Sequence, residues 1–334
     1  MAILLTGGAG FIGSHTAIEL LNAGKELIII DNFSNSKPEV LDAIRDITGK
    51  DFKFYKIDYT NKEELEKVFK ENKIEAVLNF AGYKSVGESV KKPIEYYTNN
   101  VSGCLTLLDT MRNYNVKKFI FSSSATVYGE PEKIPITEEC KTGGTTNPYG
   151  TSKLFIEQIL MDIYKSDSTW DICILRYFNP VGAHESGLIG EEPQGIPNNL
   201  MPYIARVAAG KLTELSVFGN DYNTPDGTGV RDYIHVVDLA KGHLCALNKL
   251  EKEGKGLYIY NLGTGMGYSV LDMVKSFEEV TGKAVPYKIT ERRPGDIATC
   301  YADPTKAKNE LGWQAEKGIK EMCKDSWNYI EKRM

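Results

Sequence analysis

The spacing of cysteine and histidine that a zinc site needs is missing from this sequence. No two of the six cysteines are close enough for a Cys-x-x-Cys motif, and the four histidines are equally scattered. We therefore expect no metal centre. Free thiols in a reducing cytoplasm are the simplest account of the cysteines. They are Cys104, Cys140, Cys173, Cys245, Cys300 and Cys323.

Long apolar segments and an excess of positive charge are also missing. The longest apolar stretches have the length of a β-strand, far short of the roughly 20 residues of a membrane span. Met1 is followed directly by the apolar residues 2–5, so we expect no signal peptide. A net charge of −5 argues against a nucleic acid or an anionic membrane as the main partner. The 334 residues suffice for two domains and a large core.

The N-terminal stretch has the pattern of a dinucleotide-binding turn. An apolar run over residues 2–6 leads into a Gly-x-x-Gly-x-x-Gly pattern at residues 7–13, and helical periodicity follows. Glycines let the chain turn sharply, let a diphosphate approach bare backbone, and let the helix pack on the strand. A second apolar run, residues 25–30, ends at Asp31. That carboxylate can bind a ribose hydroxyl and would repel a 2′-phosphate, which favours NAD over NADP.

Strands and helices keep alternating after this turn. Continuous apolar strands separated by helices predict an α/β fold with a doubly wound (Rossmann) parallel sheet. Ligands bind at the carboxyl ends of such strands, where Asp31, Asp58, Gly82, Ser124 and Tyr177 fall. We expect strands over residues 52–57, 75–80, 118–122 and 172–176, and helices over residues 62–71 and 93–114.

After Tyr177 the alternation of predicted strands and helices becomes irregular. Residues 178–201 are rich in glycine and proline, and long loops of this kind favour a substrate-binding cap. We expect an NAD-binding Rossmann domain over residues 1–176 and a smaller mixed α/β substrate-binding domain over residues 177–334. Residues from about 230 to 262 are expected to return to the first domain.

Two arginines in the second part are candidates for binding a diphosphate. Arg231 and Arg292 stand in loops, and a guanidinium can hold a phosphate through two hydrogen bonds. The alternative for each is a solvated loop arginine.

A tyrosine and a lysine lie one helical turn apart at the start of a predicted helix. Asn147 suits the N-cap, Pro148 suits the first helical position, and Tyr149 and Lys153 then share a face. An ammonium group, the helix dipole and a bound cationic ring would all favour the phenolate form of Tyr149. Tyr149 is therefore a candidate acid or base near pH 7. An ordinary exposed Tyr/Lys pair is the alternative.

Several motifs together carry a family resemblance that covers almost the whole chain. Thr6–His15, Asn79–Gly82, Ser122–Gly129 and Tyr149–Lys153 resemble the extended short-chain dehydrogenase/reductase superfamily. Arg176–His184, Gly195–Tyr203 and Asp226–Val236 narrow the resemblance to its nucleotide-sugar 4-epimerases. The resemblance implies tightly bound NAD, a UDP-hexose substrate and a homodimer built on the helices at residues 93–114 and 149–165. It also implies inversion of C4, between UDP-galactose and UDP-glucose, through a 4-keto sugar.

The resemblance assigns roles to individual residues. Tyr149 would take the proton of the sugar 4-hydroxyl, Lys153 would hold the nicotinamide ribose, and Ser124 would bind the 4-oxygen. The expected cofactor-binding residues are Gly7, Gly10, Phe11, Ile12, Gly13, Asp31, Asn32, Ser34, Asn35, Ser36, Asp58, Tyr59, Phe80, Ala81, Gly82, Lys84, Asn99, Ser122, Tyr149, Lys153, Tyr177 and Phe178. The expected substrate-binding residues are Ser124, Ala125, Thr126, Tyr149, Phe178, Asn179, Asn198, Asn199, Leu200, Ser216, Val217, Phe218, Arg231, Tyr233, Arg292, Asp296 and Cys300.

Four positions refine or qualify this interpretation. Related 4,6-dehydratases carry an acidic pair where this chain has Ala125 and Thr126, so elimination of water lacks its catalyst. Cys300 replaces a bulky tyrosine of some epimerases and leaves room for an N-acetyl group, unless it is merely a tolerated small residue. Asp58 can equally cap the next helix. Another nucleotide-sugar epimerase and a non-catalytic NAD or nucleotide-sugar sensor are the competing functions.

Overall fold

The computed structural model describes residues 1–193, 195, 197–293 and 295–334. Ile196 of the motif at residues 195–203 and Pro294 of the loop at residues 292–296 lie outside the described residues. No helix in the described ranges is long and apolar enough to cross a membrane.

The first part of the chain alternates strands with helices. Its elements are β1 (Ala2–Thr6), α1 (Phe11–Asn22), β2 (Leu27–Ile30), α2 (Glu39–Thr48), β3 (Lys53–Tyr55), α3 (Lys62–Glu71), β4 (Ile74–Asn79), α4 (Val86–Lys91), α5 (Pro93–Tyr96), a π-helical turn (Tyr97–Ser102), α6 (Gly103–Asn113), β5 (Lys118–Ser124), a 3₁₀ turn (Ala125–Tyr128), α7 (Pro148–Ser166) and β6 (Asp171–Tyr177).

The second part has shorter strands and longer loops. Its elements are β7 (Asn179–Val181), α8 (Leu200–Ala208), β8 (Leu215–Phe218), β9 (Val230–Arg231), β10 (Tyr233–His235), α9 (Val236–Glu253), β11 (Gly256–Leu262), β12 (Tyr268–Ser269), α10 (Val270–Thr281), β13 (Tyr287–Thr290), β14 (Thr299–Cys300), α11 (Thr305–Leu311) and α12 (Ile319–Glu331).

A parallel sheet of seven strands forms the centre of the molecule, which confirms the predicted doubly wound fold. The strand order is β11-β6-β5-β4-β1-β2-β3. Every residue of β1 and β2 is buried, because α1, α2 and α9 cover one face and α3, α6 and α7 cover the other. The order reverses between β1 and β4, and this switch point opens a crevice at the carboxyl ends of the strands.

The chain returns to this sheet after its excursion into the second part. β11 pairs with β6 in parallel, with Leu262 opposite Tyr177, and α9 packs on α1. The remaining strands form three small sheets in the orders β10-β7, β12-β9-β14 and β13-β8. Their core joins α8, α10 and α12 around side chains such as Phe277 and Trp327. The division of the chain at residues 176 and 177 stays a prediction.

The segment predicted as one helix over residues 93–114 is interrupted. α5 and α6 are joined by the π-helical turn Tyr97–Ser102, which carries Asn99 and Asn100. The wider turn gives both asparagine side chains a different direction from that in a continuous α-helix, and such turns are frequent at functional sites. Periodicity alone does not predict it, since the apolar positions continue on one face.

Candidate active site

The glycine turn between β1 and α1 fits a dinucleotide closely. A Cβ atom on Gly13 would lie 2.5 Å from the Gly7 carbonyl oxygen, and one on Gly7 would lie 2.8 Å from the Ala81 nitrogen. Gly7 also has a φ of +65°. Gly10 is the N-cap of α1 and makes no side-chain cap, so Phe11, Ile12 and Gly13 begin the helix with free N–H groups. These features leave bare backbone for a diphosphate.

Asp31 connects the glycine turn to the end of β2. Its carboxylate accepts hydrogen bonds from Ala9 N at 3.0 Å, Phe33 N at 2.9 Å and Ser36 Oγ at 2.8 Å. The Asn32 side chain accepts from Ser34 N at 2.9 Å, and Asn35 is exposed beside it. The carboxylate is thus held in place at the strand end, where the ribose is expected.

The ends of β2 and β3 are joined through Asp58. Asn32 Nδ2 donates to Asp58 Oδ2 at 2.9 Å, and Thr60 donates to Oδ1 from both its nitrogen and its hydroxyl. Burial raises the pKa of Asp58, but these hydrogen bonds outweigh it and the net pKa is lowered. Tyr59 is buried against Gly103 and donates its hydroxyl to the Asn99 carbonyl. The tyrosine ring therefore belongs to the core, and Asp58 faces the crevice rim.

The loop after β4 packs on the glycine turn. Ala81 N donates to Thr6 Oγ1 at 3.3 Å, and Phe80 packs on His243 with ring centroids 4.9 Å apart. Gly82 follows, and Lys84 Nζ lies 2.9 Å from Glu191 Oε1 and 5.8 Å from the Phe11 ring centroid. The predicted cofactor lysine is thus paired with a carboxylate of the second part.

Asn100, rather than the predicted Asn99, makes the larger set of contacts. Its buried side chain bonds to both Tyr83 N and Tyr83 O, and its Nδ2 lies 3.1 Å from Ser152 Oγ of α7. Asn99 donates to the Asn100 side chain at 3.0 Å. Asn100 therefore ties the loop after β4 to the helix that carries Tyr149.

Helix α7 begins as its sequence predicts. The Asn147 side chain accepts from Gly150 N at 2.9 Å, and Pro148 occupies the first turn. This cap fixes the start of α7 and therefore the position of the Tyr149 side chain in its first turn. Burial raises the pKa of Tyr149, and the Ser124 hydroxyl lowers it in part.

Ser124 is oriented as a hydrogen-bond donor. Its Oγ accepts from Thr126 N at 3.2 Å and from Thr126 Oγ1 at 3.0 Å. A hydroxyl has two acceptor sites and one donor, so its own proton is free to face Tyr149. Ala125 is buried beside this pair.

The protein's own groups do not make Tyr149 acidic. Burial raises the pKa of Tyr149 above its usual 10, and Ser124 offsets only part of this shift. Lys153 lies with Nζ 5.9 Å from the Tyr149 ring centroid and donates to the Ser122 carbonyl at 2.7 Å. Burial lowers the pKa of Lys153 to about 8, so the amine remains mainly protonated at pH 7. The expected phenolate therefore needs a positive charge beyond that of Lys153.

Two buried hydroxyls near Lys153 point to a further group at this site. Ser122 Oγ and the Tyr177 hydroxyl are buried, and neither has a hydrogen-bond partner among the described residues. Ser122 lies on β5, and Tyr177 ends the neighbouring strand β6. Buried hydroxyls normally have partners. Together with the glycine turn, they fit the predicted NAD site.

The predicted substrate residues of the second part of the chain form three groups, whereas Ser124, Ala125, Thr126 and Tyr149 lie in the first part. In the first group, Asn179 pairs with Tyr233 and Cys300 pairs with Arg231 on the small sheets, and Phe178 packs near Cys300. Burial raises the pKa of Tyr233 to about 12 and that of the Cys300 thiol to about 11.

The second group stands at the start of α8, where Asn199 is the N-cap and Leu200 the first residue. Asn198 Nδ2 donates to Ser85 Oγ at 3.1 Å, and Asn199 Nδ2 donates to Glu191 Oε1 at 2.7 Å. The third group is Ser216, Val217 and Phe218 of β8 with Arg292 and Asp296 after β13.

The arginines of these groups are held by local partners. Arg292 Nε lies 2.7 Å from Asp221 Oδ1, and its guanidinium lies 4.0 Å from the Tyr222 ring centroid. Arg231 donates to the Val230 carbonyl at 2.9 Å. Arg293, which the sequence did not single out, pairs with Asp296 and lies 4.7 Å from the Phe218 ring centroid.

Asp232 is a buried carboxylate beside the predicted substrate residues that the sequence did not single out. It is fully buried between Arg231 and Tyr233, and its carboxylate accepts from Thr264 N, Thr264 Oγ1, Gly265 N and Ala302 N. Burial raises its pKa against these hydrogen bonds. Its position between two predicted binding residues was the available signal. Its partners are at least 32 residues away, so spacing could not reveal them.

Comparison with known proteins agrees with this geometry. The family model for GDP-mannose 4,6 dehydratase matches residues 4–326. A UDP-glucose 4-epimerase of Pasteurella multocida is 64% identical over 332 residues, which cover 99% of this chain and 98% of that protein. The chain belongs to the UDP-glucose 4-epimerase family. This family lies within the extended short-chain dehydrogenases/reductases, as the motifs predict.

Solved structures of the epimerase family share this fold. The UDP-glucose 4-epimerase of Bifidobacterium longum, in complex with NAD+ and UDP, has a TM-score of 0.97 and 59% identity, covering 99% of this chain and 98% of that one. The Stenotrophomonas maltophila epimerase, with bound NAD and formylated UDP-arabinopyranose, has a TM-score of 0.97 and 47% identity, covering 100% and 98%. In this shared fold, the candidate active site described above lies at the carboxyl ends of the strands of the seven-stranded sheet.

Proposed function

We propose that this protein is an NAD-dependent enzyme that interconverts UDP-galactose and UDP-glucose by inverting C4 of the hexose. The observation that carries the proposal is the position of the buried ammonium of Lys153, 5.9 Å from the Tyr149 ring centroid and 2.7 Å from the Ser122 carbonyl, at the carboxyl end of the strand that finishes with Ser124. Galactose metabolism is the corresponding pathway. The free thiols support the cytoplasm as the location.

Each catalytic side chain has a distinct task. The Tyr149 oxygen takes the proton of the sugar 4-hydroxyl and later returns it. Ser124 donates its proton towards Tyr149 or the sugar 4-oxygen, because Thr126 occupies both of its acceptor sites. Lys153 uses one of its three protons on the Ser122 carbonyl and retains two for ribose hydroxyls.

The residues at the carboxyl ends of the parallel strands fit NAD, and its expected contacts run along this edge of the sheet. The glycine turn would hold the diphosphate, Asp31 the adenosine ribose, and Ser122, Lys153 and Tyr177 the nicotinamide end. When bound, NAD supplies the reversible acceptor for the C4 hydride and a positive charge that favours phenolate. The protein contributes the fixed positions of the proton donor and acceptor.

The opposite wall would hold the substrate by its nucleotide. Arg231 and Arg292 supply guanidinium groups for the diphosphate, and the exposed Phe218 supplies a flat surface for the base. A hexose held mainly through its diphosphate can turn and present its other face after oxidation. Binding energy at the nucleotide is then available throughout the reaction.

Elimination of water is less well supported than epimerisation. The matching family model is described as a dehydratase, but Ala125 and Thr126 follow Ser124 and no acid stands there. Thr126 instead orients Ser124. The full-length relatives named above are epimerases.

A wider substrate range is part of the proposal. Cys300 is small and half-buried near Phe178, on the strand paired with Arg231. Since a small side chain leaves room for an N-acetyl group, the enzyme is expected to interconvert UDP-GlcNAc and UDP-GalNAc as well. Turnover of UDP-galactose with no trace of turnover of the N-acetylated sugar would contradict this.

A homodimer is proposed on the face made by α4 to α7. This face exposes large apolar side chains, which commonly mark interaction surfaces. They are Val86, Val90, Ile94, Leu105 and Phe155. Ile94, the most exposed of them, is the position to change: Ile94→Glu should yield a monomer in analytical ultracentrifugation, and an unchanged dimer would place the interface elsewhere.

One experiment tests the main proposal. Purified protein, without added NAD, is incubated with UDP-galactose, and UDP-glucose is expected to form. The dinucleotide retained by the protein is then released and identified as NAD. The Tyr149→Phe variant should lower kcat by roughly 10²–10⁴-fold while retaining NAD. Tyr164→Phe, on the same helix, is the matched control. Full activity of Tyr149→Phe would indicate that catalysis lies elsewhere, and a protein that binds but never converts the sugar would be a sensor.

A further inference from the structure

A buried ion pair beneath the catalytic groups has no task in the reaction outlined above. Glu157 of α7 and Arg176 of β6 are 0% and 3% exposed. Arg176 Nη2 lies 2.6 Å from Glu157 Oε2, and Arg176 Nε lies 3.0 Å from Glu157 Oε1. Apolar residues often stabilise such a position as well as a buried pair does. The pair therefore points to a role other than stability.

Both charges adjoin residues of the proposed site. Glu157 follows Lys153 by one helical turn, and Arg176 directly precedes Tyr177. Ser123, the neighbour of Ser124, donates its hydroxyl to Glu157 Oε1 at 2.5 Å. One carboxylate thus links α7, β5 and β6 at the level where Ser124, Tyr149 and Lys153 converge.

The pair is braced from the far side. Arg176 Nη1 donates to the Tyr128 hydroxyl at 3.0 Å, and that hydroxyl donates to Asn261 Oδ1 at 2.7 Å. Asn261 in turn donates to the Ile136 carbonyl at 2.9 Å. A chain of satisfied buried groups of this kind holds its members in one arrangement.

Glu157 also sets the electrostatic surroundings of Lys153. The ammonium faces the Cys104 thiol of α6, Tyr149 of α7, and the Phe121 ring and Ser122 carbonyl of β5. Burial raises the pKa of Cys104 to about 12, so the thiol is neutral at pH 7.

Glu157 is accordingly the carboxylate that opposes the effect of burial on the pKa of Lys153. Burial lowers the pKa of Lys153 to about 8, and the Cys104 thiol and then the Glu157 carboxylate oppose that shift. Without the carboxylate, the unpaired guanidinium of Arg176 would remain nearby and would disfavour a second positive charge.

We propose that Glu157 is a positioning residue: bound to Arg176 of β6 and Ser123 of β5, its carboxylate holds α7, which carries Tyr149 and Lys153, in register with Ser124. This inference rests on the proposed epimerase activity. Lys153 in its charged form orients the ribose and favours the phenolate, so Glu157 acts on the reaction through Lys153.

The test compares charge-changing variants of the full chain with the dinucleotide that it retains. In Glu157→Gln, kcat for UDP-galactose should fall at least ~10-fold with KM within ~2-fold, as for groups that act in the transition state. The alkaline limb of the kcat profile should move to lower pH by at least about half a unit, because Lys153 loses its proton more easily. Glu157→Asp should restore the position of that limb and part of kcat.

Two further variants keep the outcome decisive. Glu310 lies on α11, and its carboxylate accepts a hydrogen bond from the Tyr260 hydroxyl. Glu310→Gln should leave the pH profile of kcat unchanged. The double change Glu157→Leu with Arg176→Met removes both charges, should fold, and should still show the displaced limb. It decides the question if Glu157→Gln does not fold.

The outcomes separate the two proposals. Failure of the wild-type protein to convert UDP-galactose overturns the proposed function. Conversion by the wild type, with the wild-type alkaline limb in both the Glu157→Gln and the double variant, overturns the role of Glu157 alone, even if kcat falls. A displaced limb that Glu157→Asp restores supports it.

Discussion

Replacing Gly13 by alanine should separate α1 from the glycine turn. The new Cβ atom would lie 2.5 Å from the Gly7 carbonyl oxygen and 2.8 Å from Gly8 Cα, whereas ordinary contacts begin at 3.4 Å. Both neighbours are backbone, so the start of the helix must move by about 0.9 Å, the difference between 3.4 and 2.5 Å. Overpacking of this kind costs about 1–3 kcal/mol.

The same shift should weaken cofactor binding, because it moves the N–H groups that would face the diphosphate. We expect Gly13→Ala to unfold in urea with a free energy of unfolding lower by about 1–3 kcal/mol. The retained dinucleotide should also bind more weakly than it does to the wild-type protein. The absorbance of NAD released from the protein measures the dinucleotide that it retains, and urea titration measures the free energy of unfolding.

A second glycine offers the matched control. Gly87 lies in the first turn of α4, and an added Cβ atom there would meet nothing within 4 Å. Gly87→Ala should therefore be neutral or slightly stabilising. If Gly13→Ala matches Gly87→Ala in both stability and dinucleotide content, the steric argument for the glycine turn is wrong.

Three other changes test the second part of the chain and the buried histidines. Asp232→Asn should lower the free energy of unfolding by about 2–5 kcal/mol in urea titration, because an amide cannot accept all four of the hydrogen bonds that the carboxylate accepts. Arg292→Met should raise KM for UDP-galactose ~10-fold or more with a smaller change in kcat, and an unchanged KM in steady-state assays would remove Arg292 from the substrate site. Burial lowers the pKa of His243 to about 4 from 6.5, so the unfolded chain binds the extra proton and stability falls as pH drops through that range. His243→Gln should reduce this slope by about 1.4 kcal/mol per pH unit, and equal slopes in acid-range denaturation curves would contradict it.

Local features of the sheet and its turns were predictable from the sequence. Continuous apolar runs such as β1 and β4 predicted buried parallel strands, and the helix over residues 62–71 has the predicted bounds. The Asn147 cap and the close approach of Gly13 to Gly7 also follow from local chemistry, because the partners are a few residues away, whereas the approach of Gly7 to Ala81 does not. These are the features that a sequence states directly.

Long-range pairings were not predictable in the same way. Lys84 was assigned to the cofactor, yet it pairs with Glu191, which is 107 residues away. Glu157 interrupts an apolar helical stretch, and its partner Arg176 lies on a strand that the periodicity places only approximately. The pKa of Tyr149 is raised, whereas the sequence favours a lowered one, for a related reason. Burial, which the sequence does not reveal, outweighs the effect of the neighbouring groups.

The late position of β11 in the chain has a consequence for biosynthesis. A nascent polypeptide that has left the ribosome only as far as α8 presents β6 as an open sheet edge and leaves the Tyr128 hydroxyl without Asn261. Premature termination within the cap would therefore release an aggregation-prone fragment instead of a working cofactor module. The edge of the sheet formed by the first part of the chain is thus covered only once residues 256–262 have been synthesised.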